Sequence, residues 1–576
     1  MAVHNADIAA VFEQIADLLE IQGENPFRIR AYRNAARQME AMGVPAADMV
    51  AKGEDLTELP GIGDDLAAKI EEIVATGTCK ALEKLKQQVP ATVAELLKLP
   101  GLGPKRVKTL YKELKIETTD DLAKALKGGK VRKLEGFGPK TEEAVAQALA
   151  AHAGEAQRFK LAVAAQYAEP LRDYLAKVGG VQHAVIAGSY RRAKETVGDL
   201  DLLVTARTAP VVMDKFVAYD EVARILAKGE TRSTVVLKCG LQVDLRVVEN
   251  VSFGAALHYF TGSKAHNIEI RRLGQKKGLK INEYGVFKGE KRVDGKTEES
   301  VFKSVGLPFI PPELRENRGE IEVAKAKKLP KLVEPKDLKG DLHTHTKATD
   351  GHHTLEEMAQ AAKDHGFEYL AITEHSRRLT VAHGLDPARL RKQCDEIDEL
   401  NSKLKGIQLL KGIEVDILED GALDLPDDVL SELDLVVGAV HSKFNLPRAK
   451  QTKRILKAMD HKHFSILAHP SGRLLDTREP YDVDMLTIVR HARERGCFLE
   501  LNAHPERLDL LDIHCQLARD EGVLVAISSD AHGIADFDNL RYGVGQARRG
   551  WLEAKDVLNS RSLKLLQPLL RRTIKT

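Results

Sequence analysis

From residue 341 onward, apolar runs end again and again in a side chain that can bind a metal. "DLHTH" ends in His345, "FEYLAITEH" in His375, and "IQLLKGIEV" carries Glu414 near its end. "LDLVVGAVH" ends in His441, "FSILAHP" delivers His469, "CFLELNAH" ends in Asn502 or His504, and "LVAISSDAH" in Asp530 and His532. Seven β-like runs, separated by helical stretches and each delivering polar residues at its C-terminal end, predict a βα barrel. In that fold the loops after the strands build the site. Imidazoles mixed with carboxylates suit zinc, manganese or iron, and so many ligands imply more than one ion. A single histidine at a strand end is usually a satisfied structural residue; a set of this size is not.

The histidines also mark a boundary. Five of the twenty (His4, His152, His183, His258, His266) precede residue 300, and the other fifteen lie at or beyond His343. At 576 residues the chain is too long for one core, and about 150 residues per domain suggests roughly three to five. Residues 321–340 hold six lysines and two prolines with weak periodicity, which reads as a linker. The net charge of +2 does not announce a nucleic-acid binder, but an acidic metal site in one domain can cancel a basic surface in another. No apolar run reaches the ~18 residues of a membrane span. The N-terminus is acidic and amphipathic, unlike a signal peptide. Cys79, Cys239, Cys394, Cys497 and Cys515 form no CxxC pair, which fits free thiols in a reducing cytoplasm.

The first 150 residues alternate amphipathic helices with glycine turns. "LPGIG" (Leu59–Gly63), "LPGLG" (Leu99–Gly103) and "LEGFG" (Leu134–Gly138) each join one helical stretch to the next. Glycines two apart let the backbone turn tightly around an apolar plug. The amides at the following helix N-terminus then face a docking phosphate, a contact that ignores base identity. Three copies outweigh the alternative of simple helix caps. They resemble helix-hairpin-helix motifs, which implies DNA-backbone contacts around Gly61, Gly63, Gly101, Gly103, Gly136 and Gly138.

Between them and the barrel lies "GSYRRAKETVGDLDLLV" (Gly188–Val204). Asp199 and Asp201 are two apart in a strand-like run, so both leave the same face, and carboxylates that close repel unless a cation intervenes. Asp244, in "LQVDLRVV", completes a three-carboxylate site if its strand pairs alongside. Oxygen ligands of this kind suit Mg²⁺ or Mn²⁺, and two such ions can clamp both oxygens of an in-line phosphoryl transfer. Gly188 and Ser189 at a strand-to-helix turn, followed by two arginines, form a candidate triphosphate cradle.

"GSYRRAKETVGDLD", "VDLR" and "HYFTGSKAHNIEIRRLGQKKGLKINEYGVF" resemble the family X DNA polymerases, the group that includes polymerase beta. The resemblance covers roughly residues 1–318. It implies a nucleotidyltransferase palm in which Asp199 and Asp201 bind both metals and Asp244 helps activate the primer 3′-hydroxyl. It further implies that Gly188, Ser189, Arg192 and Gly198 contact the incoming triphosphate, and that Tyr259, Phe260 and Gly262 flank its sugar. Asn267 and Arg271 match positions touching the nascent pair and the template side. Lys264 departs from the pattern, which has an aspartate there, so fidelity and sugar selectivity do not transfer. "LPGIGDDLAAKIEEIVATG" is similar to the small N-terminal domain of polymerase beta and puts Lys69 on its Schiff-base lysine. Such a nucleophile needs a depressed pKa, whereas Asp65 would hold the ammonium charged; a plain surface lysine is the competing reading.

The C-terminal set resembles the PHP domain, a distorted (βα)7 barrel that binds three metals. The resemblance implies nine ligands: His343, His345, Asp350, His375, Glu414, His441, His469, Asp530 and His532. All nine positions carry capable residues, and Glu374 replaces the aspartate usual beside His375. His352, His353, His365, His383, His461, His463, His491 and His514 fit no ligand position and are expected on the surface.

The expected fold class is therefore multidomain α and α/β. The expected boundaries are a helical domain at 1–90 with the first hairpin, a fingers-like region at 91–155 with the other two, a palm at 156–255, a thumb at 256–318, a linker at 319–339 and the PHP domain at 340–576. The combined architecture is that of bacterial family X polymerases with a C-terminal PHP domain. It implies a gap-filling DNA polymerase of base-excision and break repair with a 3′–5′ exonuclease. Mg²⁺ or Mn²⁺ would serve the palm, and up to three Mn²⁺, Zn²⁺ or Fe ions the barrel. Gapped or primer-template DNA and dNTPs would be the partners, with no membrane, for a monomer in the cytoplasm at the nucleoid. The competing readings are a phosphatase or structural PHP module, and a scaffold with dead sites.

Overall fold

The computed structural model describes residues 3–42, 45–59, 61–99, 102–152 and 158–574. The chain divides into two compact units, residues 1–158 and 159–576.

The first unit is helical. Asn5–Gln22 buries Ile8, Phe12, Ile15 and Leu19, a helical spacing, and stops at Gly23 in the left-handed region. Each large apolar side chain so buried contributes about 1.5–3 kcal/mol, enough for a stack of short helices to hold together. The hairpins fold as the spacing predicts. Gly61 and Gly136 take positive φ (61° and 82°), a region closed to most side chains. The apolar residues between the glycines, Ile62, Leu102 and Phe137, are 2–3% exposed. Helices Asp64–Thr76, Pro104–Leu114 and Pro139–His152 follow directly. Gly101 lies outside the described residues.

The second unit opens with a five-stranded sheet in the order Val181–Ile186, Asp199–Ala206, Gln242–Val248, Arg232–Leu237, Val222–Lys228. Only the Asp199–Ala206 and Gln242–Val248 strands pair in parallel. The edge strand Val222–Lys228 is exposed along most of its length, so it carries no alternation to read. Helices Phe253–Thr261, Lys264–Lys276 and Glu298–Val305 then pack around a three-stranded sheet. The lysine-rich stretch after residue 319 is packed as well. Glu320–Lys325 is helical, and Ile321, Ala324 and Leu332 are buried in one cluster with Trp551 while Lys325, Lys327, Lys328, Lys331 and Lys336 stay exposed.

The remaining residues form seven parallel strands in chain order: Gly340–Asp341, Tyr369–Ile372, Gln408–Asp416, Leu435–Ala439, Ile466–Leu467, Phe498–Asn502 and Val525–Ser528. A parallel bridge from Thr344 to Ala531 joins the two ends of the sheet. Tyr369–Ile372, Leu435–Ala439 and Val525–Ser528 are buried along their whole length, which is why they read as unbroken apolar runs rather than alternations. No disulfide joins any of the described cysteines. Among the described residues no helix is long and apolar enough to cross a membrane.

Candidate active sites

The palm carboxylates meet through strand register. Asp201 sits opposite Asp244 across the parallel pair, and Asp199 opposite Gln242. Asp244 is fixed by Thr234 Oγ1 (2.6 Å), Gln242 Nε2 (2.9 Å) and Arg232 Nη2 (3.3 Å). Burial, then the charges of Asp199 and Asp244, push the Asp201 carboxyl up to about 7 against the pull of Arg192 and Arg246. Three carboxylates gathered at this cost are a site awaiting positive charge. Gly188 turns the chain beside them at φ 61°, where an added Cβ would collide with the Asp201 carboxylate. The Ala187 N–H donates to Asp201 O (2.7 Å) and ties that turn to the strand.

A cleft of about 410 Å³ runs from this turn to the next helices. Gly188, Ser189, Arg192, Asp199, Asp201, Tyr259, Phe260, Gly262, Asn267 and Arg271 all line it, together with Lys264. Gly198 and Asp244 do not form its lining. Asn267 Nδ2 donates to Tyr259 O (2.7 Å), and the Tyr259 and Phe260 rings meet edge to face at 5.1 Å. In the helical unit, Lys69 Nζ donates to the Asp65 carboxylate and to Asp65 O (3.1 Å), and lies 5.9 Å from the Tyr32 ring centre.

In the barrel the expected ligands converge at the C-terminal ends of the strands. Among the described residues, three groups have ligand atoms close enough to hold an ion: His345, Asp350, His375 and His532; His343, His345 and Asp530; His375, Glu414 and His441. Glu414 is the hub. His375 Nδ1 (2.7 Å), His469 Nε2 (3.0 Å), His441 Nε2 (3.2 Å) and His343 Nε2 (3.5 Å) all approach its carboxylate. Asp530 Oδ1 lies 3.3 Å from His345 Nε2, and Asp350 lies 3.5 Å from both His375 and His532.

The electrostatics follow from this crowding. Burial alone would raise Glu414, but His441, His375 and His343 outweigh it and hold the carboxyl well below its ordinary range. Burial would lower His375 and His532, yet Glu414 and Asp350 raise them to about 10 and about 9. Burial, with His532 and His375 nearby, pushes His345 down to about 3. Protons thus take the place of cations between the carboxylates. His343 Nε2, both His345 ring nitrogens, Asp350 Oδ1, His375 Nδ1, Glu414 Oε2, His441 Nδ1 and His469 Nδ1 are buried and make no hydrogen bond among the described residues. Imidazoles and carboxylates aimed at one another without satisfying one another fit divalent ions, which would displace those protons on binding.

Several contributors escape a search for run ends. Glu500 is fully buried and accepts from His343 Nδ1 (2.7 Å) and the His469 amide (2.7 Å). Asn502 Nδ2 donates to Asp530 Oδ2 (2.9 Å), which resolves the choice at that strand in favour of a supporting Asn502. His504 belongs to none of the three groups. Asp416 lies 3.4 Å from His441 Nδ1, and Arg507 Nε 3.4 Å from Asp530. Spacing by two from Glu414 and Asn502 was the available signal for Asp416 and Glu500. Glu374 is held by Thr346, Thr349 and Gln393 (2.8 Å), so it braces the loop that carries Asp350. One expectation fails outright: His463 is fully buried, not on the surface, because it pairs with Ile574 from the C-terminal segment.

The chain matches a helix-hairpin-helix domain over residues 3–79 and a SAM-like helix-hairpin-helix tandem over 93–151. It matches the DNA polymerase beta palm over 163–246, the DNA polymerase beta thumb over 256–316 and the PHP domain over 341–504. It is 40% identical to the DNA polymerase/3′-5′ exonuclease PolX of Bacillus subtilis over 575 residues, covering 99% of this chain and 100% of that protein. Probable phosphatases resemble a part of it. One from Thermoanaerobacter sp. is 28% identical over 38% of this chain and 89% of its own length. Another, from Acetivibrio thermocellus, is 31% identical over 33% of this chain and 78% of its own.

Proposed function

The chain belongs to the bacterial family X DNA polymerases that carry a C-terminal PHP domain, and from that premise we infer one enzyme with two reaction centres. The palm is a DNA-directed DNA polymerase and the barrel a 3′–5′ exonuclease. One observation supports the reading: both clusters come together in space, three aspartates at the palm and nine candidate ligands at the barrel.

The substrates are gapped or primer-template DNA and dNTPs. In the palm, Asp199, Asp201 and Asp244 would hold Mg²⁺ or Mn²⁺, which when bound neutralises charge on the transferring phosphate. Ser189 and Arg192 grip the triphosphate, Tyr259, Phe260 and Gly262 face its sugar, and Asn267 and Arg271 face the nascent pair. The lining of one cleft by these residues supports those roles. In the barrel, His343, His345, Asp350, His375, Glu414, His441, His469, Asp530 and His532 would hold up to three Mn²⁺, Zn²⁺ or Fe ions, which supply hydroxide near neutral pH. Glu500 orients His343, and Arg507 lies 3.4 Å from Asp530. The hairpin glycines Gly61, Gly63, Gly103, Gly136 and Gly138 would present backbone amides to DNA phosphates. The boundaries 1–90, 91–155, 156–255, 256–318, 319–339 and 340–576 describe the working parts. The proposed state is a monomer in the cytoplasm at the nucleoid. Repair of short gaps, in base excision and at breaks, is the proposed task.

The test uses a labelled primer on single-nucleotide gapped DNA with Mn²⁺. Asp201→Ala abolishes extension and spares digestion, and His441→Ala does the reverse. Loss of both activities in either folded variant contradicts separate centres. The partial likeness to probable phosphatases favours a second reading, a barrel that hydrolyses phosphomonoesters. Extension without digestion by any variant would support it.

A further inference from the structure

The barrel reaches into the polymerase centre. Its helix Leu540–Arg549 docks on the palm turn that follows Ser189. The fit is close: a Cβ added at Gly545 would stand 3.0 Å from the Ala193 side chain. At the end of that helix Arg549, 2% exposed, donates from Nη1 to the Arg192 carbonyl (2.8 Å) and to Glu316 Oε1 (2.8 Å). Its Nη2 is anchored on Asp512 Oδ2 (2.8 Å). The same Glu316 oxygen accepts from Arg192 Nε (3.0 Å), and Arg192 Nη1 donates to Thr261 O (2.5 Å). One carboxylate oxygen therefore serves two guanidinium groups, one from the palm and one from the barrel.

A guanidinium is a rigid planar fork, so fixing Nε and one Nη fixes the direction of its remaining N–H groups. Arg192 is held in that way at the edge of the cleft. Glu316 can hold it only while Glu316 itself is held, and Arg549 does the holding. A second contact at the same interface, Arg548 with Glu313 (2.7 Å) and Val333 O (3.0 Å), makes no bond to Arg192 or Glu316. It contributes docking without positioning.

We propose that Arg549 of the barrel, acting through Glu316, is a positioning residue for the polymerase centre, presetting Arg192 for the nucleotide triphosphate. Nucleotide affinity then depends on the docked barrel. The proposal rests on the reading of Arg192 as a triphosphate contact.

The experiment compares full-length wild type, Arg549→Gln, Glu316→Gln, Arg548→Gln and Arg192→Ala on single-nucleotide gapped DNA. KM for the dNTP, kcat, and exonuclease activity are measured on the same preparations. Arg549→Gln and Glu316→Gln raise KM about tenfold, the effect of losing a preorganised charge-assisted contact, with kcat within about twofold and digestion unchanged. Arg548→Gln leaves KM at the wild-type value. An unchanged KM in Arg549→Gln, or an equal rise in Arg548→Gln, overturns the proposal and leaves only docking. If Arg549→Gln also loses digestion, Arg549→Lys replaces it: the charge stays, the fork is lost, and the same rise in KM is expected. An Arg192→Ala variant with wild-type KM instead removes the underlying reading of the nucleotide site.

Discussion

Asp201 and Asp244 are register partners on adjacent parallel strands, so the carboxylate that joins the Asp199–Asp201 pair comes from a strand much later in the chain. The crowding has a measurable consequence. With Asp201 pushed up to about 7, about half of the metal-free molecules carry a proton there at neutral pH. The folded state binds that proton more tightly than the unfolded chain, so metal-free stability falls as pH rises from about 4 to about 7. Metal must displace the proton. The Mg²⁺ concentration that half-activates nucleotide insertion should rise by up to about tenfold per pH unit below 7. An activation constant that stays flat between pH 6 and 8 contradicts this.

Gly188→Ala should damage the polymerase alone. The substitution puts a side chain at φ 61° and drives its Cβ into the Asp201 carboxylate. Strain of this kind costs about 1–2 kcal/mol, and displacement of a metal-binding carboxylate should reduce insertion by at least about tenfold. Digestion by the same preparation should match wild type. Insertion at the wild-type rate would show that the turn does not set the position of Asp201.

Glu500→Gln should weaken the barrel's hold on metal. Glu500 accepts from His343 Nδ1 and so presents Nε2 toward Glu414 and Asp530. Loss of such a partner typically costs about 10–100-fold in metal affinity or activity. Exonuclease activity should fall at low Mn²⁺ and recover as Mn²⁺ is raised, and direct titration of metal should show the weaker binding. Wild-type activity at limiting metal would remove Glu500 from the site.

Lys69 offers the remaining test. Its amine is bonded to the Asp65 carboxylate and to Asp65 O, which engages the nitrogen that a Schiff base requires. If Lys69 is a lyase nucleophile, borohydride should trap wild type on an abasic substrate, Lys69→Ala should lose the adduct, and Asp65→Asn should increase it severalfold by freeing the amine. Equal trapping by Lys69→Ala and wild type removes the lyase reading.

What local geometry can carry was legible from the residues alone. A period of two put Asp199 and Asp201 on one face, glycine pairs set the hairpins around Ile62, Leu102 and Phe137, and strands buried on both faces showed as seven apolar runs with ligands at their ends. Each of these follows from residues a few positions apart. Tertiary structure decided the rest. Register brought Asp244 to Asp201, and ring closure made Glu414 the hub approached by five histidines. The C-terminal segment buried His463, and helix docking joined Arg549 to Arg192 through Glu316. Those outcomes depend on which distant surfaces meet, and no local periodicity encodes that.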